Sequence, residues 1–185
     1  MRSSNCTRNS TSRRDSRGAL TPAAGVDSTY GVRRLRPHLY FGPSVHPIDL
    51  PRLRRAGITA VLSLQQPGID LPQTVVDRMR RACAPHDIAF FNIGIHDYDP
   101  EAVIAALPAT LTTLGDLIRA GRVVYVHCTE GINRAPSVAL AHLVRDERLD
   151  VDIALAELQR CDAGVRPYGA VIEWLRQSVD ETTND

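Results

Sequence analysis

The sequence predicts an α/β fold in which one central sheet is layered with helices. Three observations carry this. Short β-branched runs alternate with helical stretches from residue 28 onward. The 185 residues suit a single domain. The 43% hydrophobic and 23% charged content is ordinary for a globular chain.

The elements follow in order. "HLYFG" at 38–42 predicts a first strand, and "PIDLPRLRRAG" at 47–57 a helix closed by Gly57. "ITAVLSL" at 58–64 predicts a buried strand. Residues 72–84 predict a helix with Val75, Val76 and Met79 on one face. "IAFFNIGI" at 88–95 is the next strand. Residues 100–120 predict one helix or two, with Pro108 as the interruption. "VVYVH" at 123–127 is the last buried strand, and the rest is helical over 134–148, 151–159 and 168–179. Residues 1–27 are rich in Ser, Thr and Arg and poor in large apolar groups, so a disordered tail is expected there, with another at 181–185. The domain is expected over 28–180.

Charge and cysteine content narrow the function classes. All 22 basic residues are arginine. Five of them stand in residues 1–27 against Asp15 and Asp27, which leaves the remainder slightly acidic and argues against a nucleic-acid partner. No apolar run approaches the ~20 residues of a bilayer span, so no membrane partner is expected. No secretory leader is read at Met1. A cytoplasmic location is expected, with an organelle as the alternative if the Arg- and Ser-rich tail is a transit peptide. The cysteines Cys6, Cys83, Cys128 and Cys161 form no C-x-x-C pair and no cluster with zinc-ligand spacing. No metal or other cofactor is expected.

The chemistry points to "HCTEGINRAP". A bare Cys-x5-Arg pair says little, but here a buried strand enters the loop and a helix with Pro136 in its first turn leaves it. Backbone N–H groups of a tight loop, with the helix N-terminus behind them, make a phosphate cradle. Gly131 allows the tight turn. The forked guanidinium of Arg134 fits a phosphate dianion. A cysteine in the same cradle is favoured as the thiolate, so Cys128 is the candidate nucleophile toward phosphorus. The departing oxygen needs an acid. "IGIHDYDPE" offers Asp97 and Asp99; Asp99, just before Pro100, suits a helix cap, so Asp97 is the candidate acid. Cys83 and Cys161 are candidate disulfide partners for Cys128 under oxidation.

These residues resemble the cysteine-dependent protein tyrosine phosphatase superfamily: "HC-x-x-G-x-x-R" after a hydrophobic strand, with an aspartate loop upstream. The short length and lone aspartate loop are similar to its dual-specificity branch, over about residues 28–180. "AGITAVLSLQQ", "HDYD", "ALPATL" and "VYVHCTEGINRAPSVAL" are similar to the plant glucan (starch) phosphatases, relatives of the glycogen phosphatase laforin. The resemblance implies a single-domain fold with a mixed central sheet flanked by helices, and a cysteinyl-phosphate route. Cys128 would be the nucleophile, Arg134 the clamp and Asp97 the acid that later activates water. Thr129, Glu130, Gly131, Ile132 and Asn133 would supply cradle N–H groups, and His127 would orient the loop. Tyr98 stands where glucan phosphatases carry an aromatic that contacts sugar rings. The implied partner is a phosphorylated substrate, phosphoglucan first. Glu130 is similar to some protein-directed members, and "GINR" to the RNA 5′-triphosphatases of the superfamily; Ala135 matches the glucan members. A phosphoprotein phosphatase, an RNA 5′-triphosphatase and an inactive phosphate-binding module therefore stand as alternatives.

Overall fold

The computed structural model describes residues 31–183, with side chains to residue 178. The predicted tail at 1–27 lies outside the described residues. Five strands form one sheet in the order β1-β2-β5-β3-β4: β1 (Arg33–Arg36), β2 (Leu39–Gly42), β3 (Ala60–Ser63), β4 (Ala89–Asn92) and β5 (Val124–His127). β1 pairs antiparallel with β2, and all other pairs are parallel, so the sheet is mixed. Among the described residues six α-helices flank the sheet: α1 (Leu50–Arg55), α2 (Gln73–Cys83), α3 (Pro100–Arg119), α4 (Arg134–Arg145), α5 (Val151–Cys161) and α6 (Gly169–Thr183). α6 thus passes the expected domain end at 180.

Alternation along the strands builds two cores. Leu39, Phe41, Leu62, Val124 and Val126 face the larger cluster, which gathers residues of α3 to α6. Tyr40, Val61 and Tyr125 face the smaller one, with Leu50 and Leu53 of α1 and Met79 and Cys83 of α2. α4 is buried from Arg134 to Val144, which makes it the central helix. Each fully buried Leu or Val contributes about 1.5–3 kcal/mol.

One strand was missed and two expectations needed correction. β1, "RRLR", was not anticipated, because three arginines read as surface. It is an edge strand that buries only Leu35, and its arginines pair with acids: Arg33 with Asp162, Arg36 with Glu147 and Glu157. In α2 the buried face is Val76, Met79 and Cys83, at helical spacing, whereas Val75 is exposed. Pro108 does not interrupt α3, which runs unbroken over 20 residues. Pro108 lies on the exposed side, where the carbonyl that loses its partner can be hydrated, while Val103, Leu107, Thr110, Leu114 and Leu117 anchor the other face. By length and composition α3 is also apolar enough to cross a bilayer. Pro108, Gly115 and a threonine cluster hide this in the sequence; in the fold its buried face belongs to the core.

The register sets up the site. Gly42, His127, Ser63 and Asn92 stand in one row across the four parallel strands. The chain therefore leaves all four at the same sheet edge, where parallel sheets bind ligands.

Candidate active site

The loop from Cys128 to Asn133 leaves β5 and enters α4 at Arg134. Cys128 is buried, and its Sγ accepts the N–H of Gly131 at 3.3 Å. Gly131 has φ +72, and a Cβ there would collide with the backbone of Gly42 and Pro43. Two main chains touch at this point, so only glycine fits. Among the described residues, no protein acceptor takes the N–H groups of Thr129, Glu130, Ile132 or Asn133. The segment before α6 braces the loop from outside: Arg166 donates its N–H to the Ile132 carbonyl at 2.8 Å, and Asn133 Nδ2 donates to the Arg166 carbonyl at 2.7 Å. Glu130 is exposed.

Arg134 is fully buried and fully engaged on its two terminal nitrogens. Nη1 donates to Asp70 Oδ2 at 2.6 Å and to the Ile95 carbonyl at 2.8 Å. Nη2 donates to Asp97 Oδ2 at 2.7 Å, to Thr129 Oγ1 at 2.9 Å and to Asp70 Oδ1 at 3.2 Å. Its Nε is buried without a protein partner among the described residues. Burial works against the guanidinium charge, but the Asp70 hydrogen bonds and the surrounding anions hold its pKa above the ordinary value. For Asp70, burial opposes ionisation, and the Arg134 bond outweighs it, so its pKa is lowered.

Asp97 comes from the loop after β4. Its Oδ1 accepts the Tyr98 N–H at 3.0 Å and the Tyr168 hydroxyl at 3.1 Å. Burial pushes the Tyr168 phenol up to about 12, so it remains a donor at neutral pH. Asp99 takes the other role expected of it: its side chain caps α3 by accepting the Ala102 N–H at 2.9 Å. Tyr98 has φ +59, and its ring is 83% exposed at the rim. His127 lies under the loop, with Nδ1 3.1 Å from the Cys128 carbonyl. Burial pushes its pKa down to about 4, so the ring is neutral and Nδ1–H is the donor.

The structure thus brings Thr129, Asp97 and Asp70 onto the Arg134 guanidinium, with Cys128 and Gly131 in the loop that leads to it, His127 beneath and Tyr98 outside. Asp70 and Tyr168 were missed as partners in the site. Their signal was topological: Asp70 sits in the loop after β3, at the carboxyl edge that all parallel strands share. The oxidation partners do not adjoin the loop by core or strand. Cys83 belongs to the smaller core, across the sheet from Cys128, and burial pushes its thiol up to about 11. Cys161 is exposed at the end of α5, against the Arg34 carbonyl of β1.

Comparison with known proteins identifies the family. Residues 39–180 match the family model for the dual specificity phosphatase catalytic domain. The chain is 36% identical over 135 residues to the phosphoglucan phosphatase DSP4, amyloplastic, of Castanea sativa, which spans 67% of this chain and 36% of that protein. It is 28% identical over 149 residues to the mouse dual specificity protein phosphatase 2, covering 74% of this chain and 42% of that one. It thus spans well under half the length of either relative. The Cydia pomonella PTP-2 phosphatase superposes with a TM-score of 0.67 at 19% identity, covering 80% of this chain and 89% of that one, and shares the fold. A buried cysteine and arginine framing one loop, an aspartate joined to that arginine, and a family match across nearly all described residues lead to one conclusion: the chain belongs to the dual specificity phosphatase family of cysteine-dependent phosphatases.

Proposed function

We propose that the chain hydrolyses phosphomonoesters through a cysteinyl-phosphate intermediate and that its substrate is a phosphoglucan. The observation that carries the reaction is the bridging position of Arg134, which joins the Asp97 carboxylate at 2.7 Å to the loop whose Gly131 N–H points at the Cys128 sulfur. In the first step the Cys128 thiolate attacks phosphorus and the ester P–O bond breaks. Asp97, displaced from Arg134 by the incoming phosphate and protonated as it leaves that cation, gives its proton to the departing oxygen. In the second step water attacks the cysteinyl phosphate, Asp97 takes the water's proton, and the S–P bond breaks to release phosphate and thiolate. Loop N–H groups and Arg134 stabilise the equatorial oxygens throughout. Arg134 Nε, buried without a protein acceptor, is the donor that best fits a phosphate oxygen. His127 positions the loop through the Cys128 carbonyl.

Two observations favour a glucan. The relative at 36% identity is named a phosphoglucan phosphatase. The exposed Tyr98 ring beside the acid offers a face for a sugar ring. That relative's amyloplastic name also favours an organellar location over the cytoplasm; residues 1–27 fused to a fluorescent protein would report it by the compartment they reach. One feature favours a phosphoprotein instead. A cavity of about 400 Å³ is lined by Ser63, Gln65 and His127 together with Val75, Met79 and Phe90, and its Gln65 reaches the loop by donating to Thr129 Oγ1 at 3.3 Å. An apolar side chain of a peptide would fit there.

The test is phosphate release from amylopectin, a phosphotyrosine peptide and a 5′-triphosphorylated RNA, side by side. Fastest release from amylopectin supports the reading, and a Tyr98→Ala variant slowed on amylopectin alone supports the sugar contact. Preference for the peptide or the RNA overturns the glucan assignment. On a generic aryl phosphate, Cys128→Ser is expected to abolish turnover and Asp97→Ala to lower kcat by about 10²–10⁴-fold. If Asp99→Ala is the crippling change instead, the acid is misassigned. Tight phosphopeptide binding without turnover would mean a binding module.

A further inference from the structure

At the sheet edge opposite the active-site loop, three side chains converge that the phosphatase chemistry does not use. His38 stands in the turn between β1 and β2. His142 lies in the last turn of α4, about 12 Å along the helix from Arg134, and Glu147 follows that helix. One ring nitrogen each of His38 and His142 and one carboxylate oxygen of Glu147 all lie within 4.8 Å of one another. Glu147 Oε1 is 3.6 Å from His142 Nε2 and 3.9 Å from His38 Nε2.

The orientation of these groups is what calls for a ligand. The His142 side chain is 6% exposed, and its Nδ1 is 2.7 Å from Asp146 Oδ2. That contact makes Nδ1–H the donor, and in the neutral ring it leaves a lone pair on Nε2. Glu147 Oε2 accepts Arg36 Nε at 2.7 Å, which leaves Oε1 as the inward acceptor. His142 Nε2 and Glu147 Oε1 are both buried, and neither has a hydrogen-bond partner among the described residues. Two acceptors therefore face each other in a buried place, where unmet polar groups are costly. A proton between them does not satisfy both, since 3.6 Å is too long for a hydrogen bond. A cation held by three donors does.

We propose that His38, His142 and Glu147 form a site for a first-row divalent cation of the Zn²⁺ class, separate from the active site. Two imidazoles and one carboxylate are a known zinc donor set; calcium and magnesium want all-oxygen shells. Zinc bonds of about 2.0–2.2 Å place tetrahedral ligands roughly 3.3–3.5 Å apart. The observed 3.6 and 3.9 Å close to that by small movements, and half-exposed His38 supplies the rest. Asp146 behind His142 and Arg36 behind Glu147 are the outer partners that orient metal ligands. Three protein ligands leave a fourth position for water. The α4 C-terminus adds its partial negative charge. The ion would clip the β1–β2 turn to the end of α4. Sequence spacing gave no sign of it, because His38 and His142 meet only through the fold.

The test uses the full chain, stripped with a chelator and titrated with Zn²⁺ against a chromophoric competitor, then with Co²⁺ to read the visible spectrum. One bound Zn²⁺ is expected, and Co²⁺ should give tetrahedral d–d bands with no thiolate charge-transfer band. His38→Ala, on a half-exposed turn that should leave folding intact, should weaken Zn²⁺ by more than about 100-fold, and Asp146→Asn by about 10-fold. Cys128→Ser should bind as the parent does. No binding at micromolar free Zn²⁺ overturns the proposal. So does an ion that survives His38→Ala but is lost in Cys128→Ser, since the thiol would then be its ligand.

Discussion

Asp70 gives Arg134 its shortest ion pair, 2.6 Å, and both side chains are almost fully withdrawn from water. Asp70→Ala would leave a buried guanidinium with half its carboxylate support, a loss of about 3 kcal/mol. Urea denaturation of the parent and variant is the check. The pH dependence has a definite sign. A carboxylate whose folded pKa lies below its unfolded value of about 3.9 stabilises the fold at neutral pH. That contribution disappears as pH falls through the lowered folded value. The stability gap between parent and Asp70→Ala should therefore shrink in strong acid. His127 acts in a different window. Its folded pKa of about 4 lies below the unfolded imidazole value, so the unfolded chain binds the extra proton first. Stability should fall as pH drops from about 6.5 to 4, by about 3 kcal/mol in all, and His127→Phe should flatten that slope. Unchanged slopes would mean that His127 is not held neutral. That Asp97 would meet Arg134 beside the Cys128 loop was legible in the sequence, because those residue types at that spacing suggest one phosphate site. Asp70 was not: an acid after Pro-Gly reads as a turn former, and only the fold brings it to an arginine far along the chain.

Among the elements, α3 offers the sharpest test. A proline inside a helix costs up to about 3 kcal/mol relative to alanine, and Pro108 sits on the solvent side, where it packs nothing essential. Pro108→Ala should raise the urea midpoint and leave kcat unchanged; a lower midpoint would show that the proline is doing structural duty. Gly131 is the opposite case. Its positive φ and its contact with Gly42 leave no room for a methyl group, so Gly131→Ala should abolish turnover even where circular dichroism remains native. Strand and helix periodicity made most elements legible. β1 escaped because two of its arginines are paired by Asp162, Glu147 and Glu157, acids that join it only in the folded chain.

Across the whole molecule, β5 is the spine. It pairs with β2 on one side and β3 on the other, and all four of its residues are buried. Hydrogen exchange should be slowest there and faster in the edge strands β1 and β4; the reverse order would mean that the sheet opens from its centre. The α/β class could be read from the alternation of elements, but strand order could not, since it depends on which crossovers pack best. The mutual grip of Asp97 and Arg134 has a kinetic corollary. In the proposed reaction an incoming ester would exchange with an anion the chain already carries, and the same resident competitor would help to evict spent orthophosphate. Neutralising it, as in Asp97→Asn, should make orthophosphate a tighter inhibitor than it is for the parent, trading fast clearance for product trapping.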